Sequence, residues 1–142
     1  GEFGGSPELK KFVRFDGQNY EQLGGLFKCT SCGTGYHTSM MMDADGNIYI
    51  GGAFEGASNA DGTYVESPNL IKWNTSLNEW EKISNGINSQ RINALEIIGD
   101  TLYIGGSRIY SVTQPDLSTL DVSLVAAMNL NTLEWSEMDG GV

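Results

Sequence analysis

Apolar residues occur along this chain in short runs that are separated by turn residues. One stretch offers four strand candidates, here termed a, b, c and d, at Ile92 to Ile98, Leu102 to Gly105, Leu124 to Met128 and Glu134 to Met138. An earlier stretch offers the same four at Thr38 to Met42, Ile48 to Gly51, Leu70 to Trp73 and Trp80 to Ile83. Runs of about five residues are typical of strands in small twisted sheets. The pattern predicts an all-β protein.

The two stretches are copies of one repeat. The run IYIGG at Ile48 to Gly52 returns as LYIGG at Leu102 to Gly106, and Trp80 returns as Trp135. A shorter copy with only the c and d strands lies at Phe12 to Leu23. The chain therefore holds about two and a half repeats of roughly 50 residues, the size of a four-stranded unit.

The repeat resembles a known family. A Gly-Gly pair ends strand b, and six residues separate a later aromatic position, Trp73, from Trp80, as in the kelch repeat. The second copy keeps this spacing with Met128 in place of Trp73, and the short copy lacks the Gly-Gly pair. The resemblance covers Lys11 to Val142. It implies four-stranded antiparallel β-propeller blades that form an incomplete ring in one chain: a half blade at 11–23 and full blades at 38–83 and 92–138.

The repeated glycines and aromatic residues are expected to be structural. Glycine allows close backbone approach where a strand meets a neighbouring blade, and large aromatic side chains fill the space between sheets. The residues in these roles are Gly51, Gly52, Trp73, Trp80, Gly105, Gly106 and Trp135.

Two and a half blades cannot close a ring, since propellers have about four to eight. Exposed blade faces favour association, so self-association into a homo-oligomer is expected. Residues 1–9 are rich in small residues and are interpreted as a linker.

Charge and composition narrow the partners. The chain has 18 acidic and 8 basic residues and a formal charge of −10, which disfavours nucleic acid. No run is long enough for membrane insertion. One histidine and no recognisable nucleophile or phosphate-binding motif argue against an enzyme and against a cofactor.

The long b-to-c connections, residues 53–69 and 107–123, are the predicted binding region, because long loops on a rigid scaffold are where binding residues usually lie. The candidates are Phe54, Glu55, Asn59, Asp61, Tyr64, Arg108, Tyr110, Gln114 and Asp116. They predict a non-catalytic binding or structural assembly module that recognises a protein or a second copy. A carbohydrate-binding, lectin-like propeller fragment is the alternative, with a glycan as partner. Decorated loops without a binding role remain an equal alternative.

Cys29 and Cys32 flank two residues in a glycine-rich segment. A local disulfide or two free thiols fit better than zinc, because a structural zinc site needs four ligands and the only other candidate nearby is His37. Asp43 to Asn47 is interpreted as a hairpin turn and not as a calcium loop. The cysteine pair and the sequon at Asn74 favour an extracellular or surface location.

Overall fold

The computed structural model of the chain describes residues 9–29, 39–89 and 91–138. These residues form antiparallel strands, and they include no helix that could cross a membrane. The strands are, in chain order, β1 (Leu9–Phe15), β2 (Tyr20–Lys28), β3 (Ser39–Met42), β4 (Ile48–Gly51), β5 (Gly56–Ser58), β6 (Tyr64–Glu66), β7 (Leu70–Asn74), β8 (Glu79–Lys82), β9 (Ile87–Asn88), β10 (Arg91–Ile98), β11 (Thr101–Ser107), β12 (Ser111–Thr113), β13 (Thr119–Asp121), β14 (Val125–Asn129) and β15 (Trp135–Glu137).

Two four-stranded sheets contain the strands that the sequence predicts as a, b, c and d. The first sheet has the strand order β3-β4-β7-β8, and the second sheet has the order β10-β11-β14-β15. In both, strands that follow one another as a, b, c and d pair with their neighbours in an antiparallel manner. The prediction of an all-β protein built from small antiparallel sheets is confirmed.

The two b-to-c connections, read as loops from the sequence, each contain a β-hairpin. The hairpin β5–β6 joins β1 and β2 in an N-terminal sheet of order β1-β2-β5-β6. The hairpin β12–β13 pairs with β9 in a small sheet of order β13-β12-β9. Three-residue strands without strong alternation explain why the sequence pattern did not reveal these hairpins.

The segment predicted as half a blade forms the hairpin β1–β2, and β2 runs on to Lys28. The second half of β2 pairs with β5, with Phe27 opposite Ala57. The same arrangement recurs after β8, where β9 pairs with β12 and Ile87 lies opposite Val112. The path β1–β2 is therefore equivalent to β7–β8–β9.

One core cluster lies between the N-terminal sheet and the first sheet. Its centre is aromatic: the ring of Trp80 makes edge contacts with Trp73 and Phe27 at centroid distances of 4.9 and 5.1 Å. All three side chains are buried. Aromatic pairs in this geometry contribute roughly 0.5 to 1.5 kcal/mol beyond the burial of their apolar area. Trp73 and Trp80, for which the sequence predicts a structural role, thus lie together in this core cluster.

The second core cluster lies between the first and second sheets. It joins Tyr49 and Leu70 of the first sheet to Ile92, Met128 and Trp135 of the second. Trp135 thus occupies in the second sheet the position that Trp80 has in the first, and both are buried. The two sheets are held face to face by apolar packing.

Gly51 lies at a close approach between these two sheets. A Cβ at this position would lie 2.6 Å from Cγ2 of Ile92 and 3.3 Å from Cδ2 of Leu95, both on β10. Its counterpart, Gly105, has no atom within 4 Å of the same ideal Cβ. A neighbouring sheet packs against Gly51, so only glycine fits there without displacing Ile92, whereas the space beside Gly105 would accommodate a Cβ.

This difference predicts that alanine destabilises the fold at Gly51 and has little effect at Gly105. Gly51→Ala forces β10 away and is expected to lower the free energy of unfolding by about 1 to 3 kcal/mol, the usual cost of overpacking. Gly105→Ala is the matched control and is expected to change it by less than about 0.5 kcal/mol or to raise it slightly, since alanine reduces unfolded-state freedom. Urea denaturation of both variants measures this. Equal losses at both positions would contradict the packing described here.

Candidate binding surface

The residues predicted to bind lie on the two hairpins of the b-to-c connections, at matching positions. Residues 55 positions apart occupy the same place in each hairpin, so that Asn59 corresponds to Gln114 and Asp61 to Asp116. The structure divides these residues into a group that builds the scaffold and a group that faces solvent.

Phe54 belongs to the scaffold. Its ring meets Phe27 edge to face at 5.1 Å and is only 5% exposed. The residue at the same position of the second repeat, Ile109, is also buried. Phe54 therefore packs in the core beneath the hairpin and offers no surface to a ligand.

Asn59 and Gln114 attach the two hairpins to the last strands of the first and second sheets. Oδ1 of Asn59 accepts a hydrogen bond from the backbone N–H of Trp80 at 2.7 Å. Oε1 of Gln114 accepts one from the N–H of Trp135 at 2.8 Å, and its Nε2 donates to the Trp135 carbonyl at 2.9 Å. Both tryptophans lie on edge strands, so these amides satisfy backbone groups that would otherwise be left for another chain.

Asp61 and Asp116 shape the hairpin turns. The carboxylate of Asp61 accepts the N–H of Thr63, and that of Asp116 accepts the N–H and the hydroxyl of Ser118. These hydrogen bonds hold the pKa of each carboxyl below its usual value. Their role is local, because the same turn forms in both repeats.

Glu55 and Tyr64 face solvent on the first hairpin. Nζ of Lys28 lies 3.7 Å from the Glu55 carboxylate and 5.6 Å from the centre of the Tyr64 ring. Partial burial, followed by the charges of Glu55 and Glu66, raises the pKa of the Tyr64 hydroxyl. The surface of this hairpin therefore combines an acidic and an aromatic side chain, and both lie close to Lys28 of β2.

Arg108 and Tyr110 face solvent on the second hairpin, beside a residue that sequence reasoning missed. Leu124 is 51% exposed, and its N–H donates to the carbonyl of Ile109, the residue between Arg108 and Tyr110 in the sequence. We call Arg108, Tyr110 and Leu124 the hairpin-base surface. Leu124 aligns with Asn69 of the first copy, and asparagine tolerates the left-handed backbone conformation better than leucine does. This replacement is the one sequence feature that could have drawn attention to Leu124.

The hairpin-base surface contains backbone strain. Arg108 has φ 55° and Leu124 has φ 68°. The left-handed region is unfavourable for residues other than glycine and asparagine by roughly 1 to 2 kcal/mol. Leu124 shares this conformation with Asn69 at φ 66°. Between Gly106 and Ile109 the second copy has Ser107 and Arg108, one residue more than the first copy, which has only Ala53 between Gly52 and Phe54.

The Asp43 turn is closed by its own hydrogen bonds. The Asp43 carboxylate accepts the N–H groups of Asp45 and Asn47, the Asn47 side-chain amide and the Tyr49 hydroxyl, at 2.9 to 3.3 Å. Partial burial opposes ionisation, but these donors outweigh it and the pKa of Asp43 lies below its usual value. The donors fill both carboxylate oxygens, which agrees with a turn.

Cys29 is buried beside the first core cluster, and its predicted partner Cys32 lies outside the described residues, as does His37. The predicted disulfide therefore stays a prediction. Among the residues that the structure describes, no three His, Cys, Asp or Glu side chains are grouped as metal ligands would be.

The chain matches no protein-family model, and no curated protein is similar to it in sequence.

Asn59 and Gln114 are expected to differ in how well they tolerate replacement of their side-chain amide by a carboxylate, because only Gln114 also donates a hydrogen bond. Asn59→Asp keeps the oxygen that accepts the Trp80 N–H and is expected to retain most of the stability, whereas Asn59→Ala loses about 1 to 2 kcal/mol. Gln114→Glu also keeps an acceptor, but it sets a carboxylate oxygen against the Trp135 carbonyl and is expected to lose about 1 kcal/mol or more. Urea denaturation measures each. Equal tolerance of Asp and Glu at the two positions would contradict the second hydrogen bond of Gln114.

The Asp43 turn predicts acid sensitivity. A carboxyl whose pKa is lower in the folded chain stabilises it above the unfolded value of 3.8 and loses that contribution as the pH falls through the folded value. Asp43→Asn is expected to lower the Tm at pH 7 and to make the fall in Tm from about pH 5 to about pH 2 shallower. Asp45→Asn, at an exposed neighbouring carboxyl, is the control. An unchanged acid profile in Asp43→Asn would contradict this role.

Proposed function

We propose that the chain is a kelch-like β-propeller segment that works as a non-catalytic binding or structural assembly module. Two four-stranded sheets of the same order, stacked face to face and each carrying a hairpin, support the blade interpretation. Each sheet is small and needs a neighbour to cover its apolar face, which is the physical basis of stacked repeats.

The hairpin-base surface is the observation that carries the binding role. Tyr110 is 54% exposed and Leu124 is 51% exposed. Arg108, which is also exposed, lies two residues before Tyr110, in a connection that is one residue longer than in the first copy. Tyrosine and arginine are enriched at binding hot spots, and leucine adds apolar area. Backbone strain of this kind persists where the surrounding structure enforces it and is concentrated at functional sites.

The polar side chains of the hairpins support a non-catalytic role. Asn59, Gln114, Asp61 and Asp116 are engaged with the backbone that positions them. Groups that already satisfy structural hydrogen bonds are poor candidates for proton transfer, which requires a group free to reach a substrate.

Glycan binding is the second candidate. The exposed rings of Tyr64 and Tyr110 offer a stacking face and a hydroxyl to a sugar, and Nζ of Lys28 lies 5.6 Å from the centre of the Tyr64 ring. The three tryptophans of the chain are buried, so stacking on a sugar would fall to the tyrosines. A sugar should therefore shift tyrosine signals and leave the tryptophan signals unchanged.

Sedimentation of the chain over a wide concentration range, with and without reducing agent, tests self-association. We expect a stable oligomer that dissociates when Tyr110→Ala and Leu124→Ser are combined, because both changes remove apolar area from the hairpin-base surface. Leu77→Ser, at a leucine 60% exposed in the turn before β8, is the matched control.

A monomer at every concentration would contradict the assembly role. In that case two-dimensional NMR with a panel of neutral monosaccharides decides the alternative: shifts confined to residues around Tyr64 or Tyr110 support glycan binding, and unchanged spectra contradict it. Dissociation by Leu77→Ser alone would place the contact outside the hairpin-base surface and contradict that assignment.

A further inference from the structure

An apolar groove of about 390 Å³ lies between β1 and the first sheet. Its walls are Val13 and Phe15 on β1 and Met40 and Met42 on β3, with Ile48 at the base. The four wall residues are 50 to 58% exposed. Several large apolar side chains exposed together on one surface usually mark an interaction site.

The second sheet shows what normally covers the equivalents of these methionines. Met40 lies opposite Ile50 and Met42 opposite Ile48, just as Leu95 and Ile97 lie opposite Ile104 and Leu102. Leu95 and Ile97 are packed against the core between the sheets, where β10 lies over β3 and β4.

At that interface, strand a of one repeat is covered by strands a and b of the preceding repeat. Gly51 of strand b is a contact point, since a Cβ at this position would lie 2.6 Å from Cγ2 of Ile92. Within the described residues, Met40 and Met42 have no strands a and b in front of them. The groove therefore lies where a pair of strands a and b would cover β3 of the first sheet, as β3 and β4 cover β10 of the second sheet.

The edge of β1 agrees with this placement. Its equivalents β7 and β14 are each paired on one side with a strand b, β4 or β11. In the described part of the chain β1 pairs with β2 alone and forms the edge of its sheet. An unpaired edge strand presents backbone N–H and C=O groups that can accept an added strand.

The equivalence of β1 with strand c extends to the turn that follows. Asp16, Asn74 and Asn129 each directly follow an apolar or aromatic residue, and the side-chain oxygen of each accepts backbone N–H groups two or three residues on. Three c-to-d turns therefore use one local device, which supports reading β1 as a strand c.

Charge favours an acidic occupant. β1 contains Lys10, Lys11 and Arg14 and no carboxylate, in a chain with a formal charge of −10. Arg14 is paired with Glu21 of β2, so the excess positive charge of β1 comes from its two lysines. The a–b pairs of this protein are acidic: residues 39–52 carry Asp43 and Asp45, a net charge of −2, and residues 91–107 carry one arginine against two acids, a net charge of −1. Opposite charges favour encounter and correct register.

We propose that the groove binds an acidic antiparallel β-hairpin of another polypeptide, which pairs with the edge of β1 and covers Met40 and Met42. A second copy of the chain is a poorer donor, because its own strands β4 and β11 are already paired with β7 and β14. The inference rests on the blade interpretation in the proposed function and names the chemistry of one partner.

The probe is a fluorescent synthetic peptide of residues 91–107, the a–b pair of the second repeat, added to the full chain. Anisotropy is expected to rise and saturate. The same peptide with Ile104→Pro removes a backbone donor from strand b and is expected not to bind.

Two chain variants locate the site. Met40→Glu places a carboxylate in the groove and is expected to weaken binding about tenfold or more, since a buried unpaired charge is costly. Leu77→Glu, at a leucine of similar exposure outside the groove, is expected to bind as the unmodified chain does. Both sites are exposed, and thermal melts verify that both variants fold.

Absence of saturable binding would overturn the proposal, as would equal binding to the Met40→Glu and Leu77→Glu variants. A concentration-dependent dimer that Met40→Glu disrupts would identify a second copy as the occupant and would also overturn it. Self-association through the hairpin-base surface responds to Tyr110 and Leu124 instead, so failure of the proposed assembly role and failure of this proposal give different results.

Discussion

The hydrogen bond between a hairpin amide and a tryptophan backbone organises each repeat. Asn59 and Gln114 bind the N–H groups of Trp80 and Trp135, which point outward from the edge strands β8 and β15. The bond closes a sheet edge that would otherwise be open to pairing, and it fixes the long connection against the sheet. The side chain of the same tryptophan is buried in the core. Each tryptophan therefore contributes its side chain to core packing and its backbone N–H to the hydrogen bond that covers the sheet edge.

The hairpins become rigid platforms because of this attachment. Asp61 and Asp116 hold the turns, and Phe54 and Ile109 seal the core beneath them. What remains exposed on the second hairpin is the hairpin-base surface, where Arg108 and Leu124 have left-handed backbone conformations. A surface that is held in this way loses little conformational entropy on binding.

Much of the fold could be predicted from the sequence. The positions of the strands in the two sheets follow from the apolar runs and from the IYIGG and LYIGG repeats, because strands a to d alternate with strong turn residues. The hairpins β5–β6 and β12–β13 could not be read, since three-residue strands depend on pairing with β2 and β9 and not on their own pattern. For the candidate binding surface, the sequence could predict the region of the chain but not the role of each residue in it. Asn59, Gln114, Asp61 and Asp116 look like ligand-binding residues in sequence, and only their hydrogen bonds show that they support the backbone. Leu124 was missed because an exposed leucine carries no polar signal.

Hydrogen exchange at the backbone amides of Trp80 and Trp135 tests this organisation most directly. Both N–H groups lie on the outer side of an edge strand, so slow exchange there requires the amide oxygens of Asn59 and Gln114. The structure predicts that both amides exchange as slowly as those in the centre of their sheets, and that Asn59→Ala releases Trp80 alone. Fast exchange of both amides in the unmodified chain would show that the hairpins are not held against the sheets and would contradict the account.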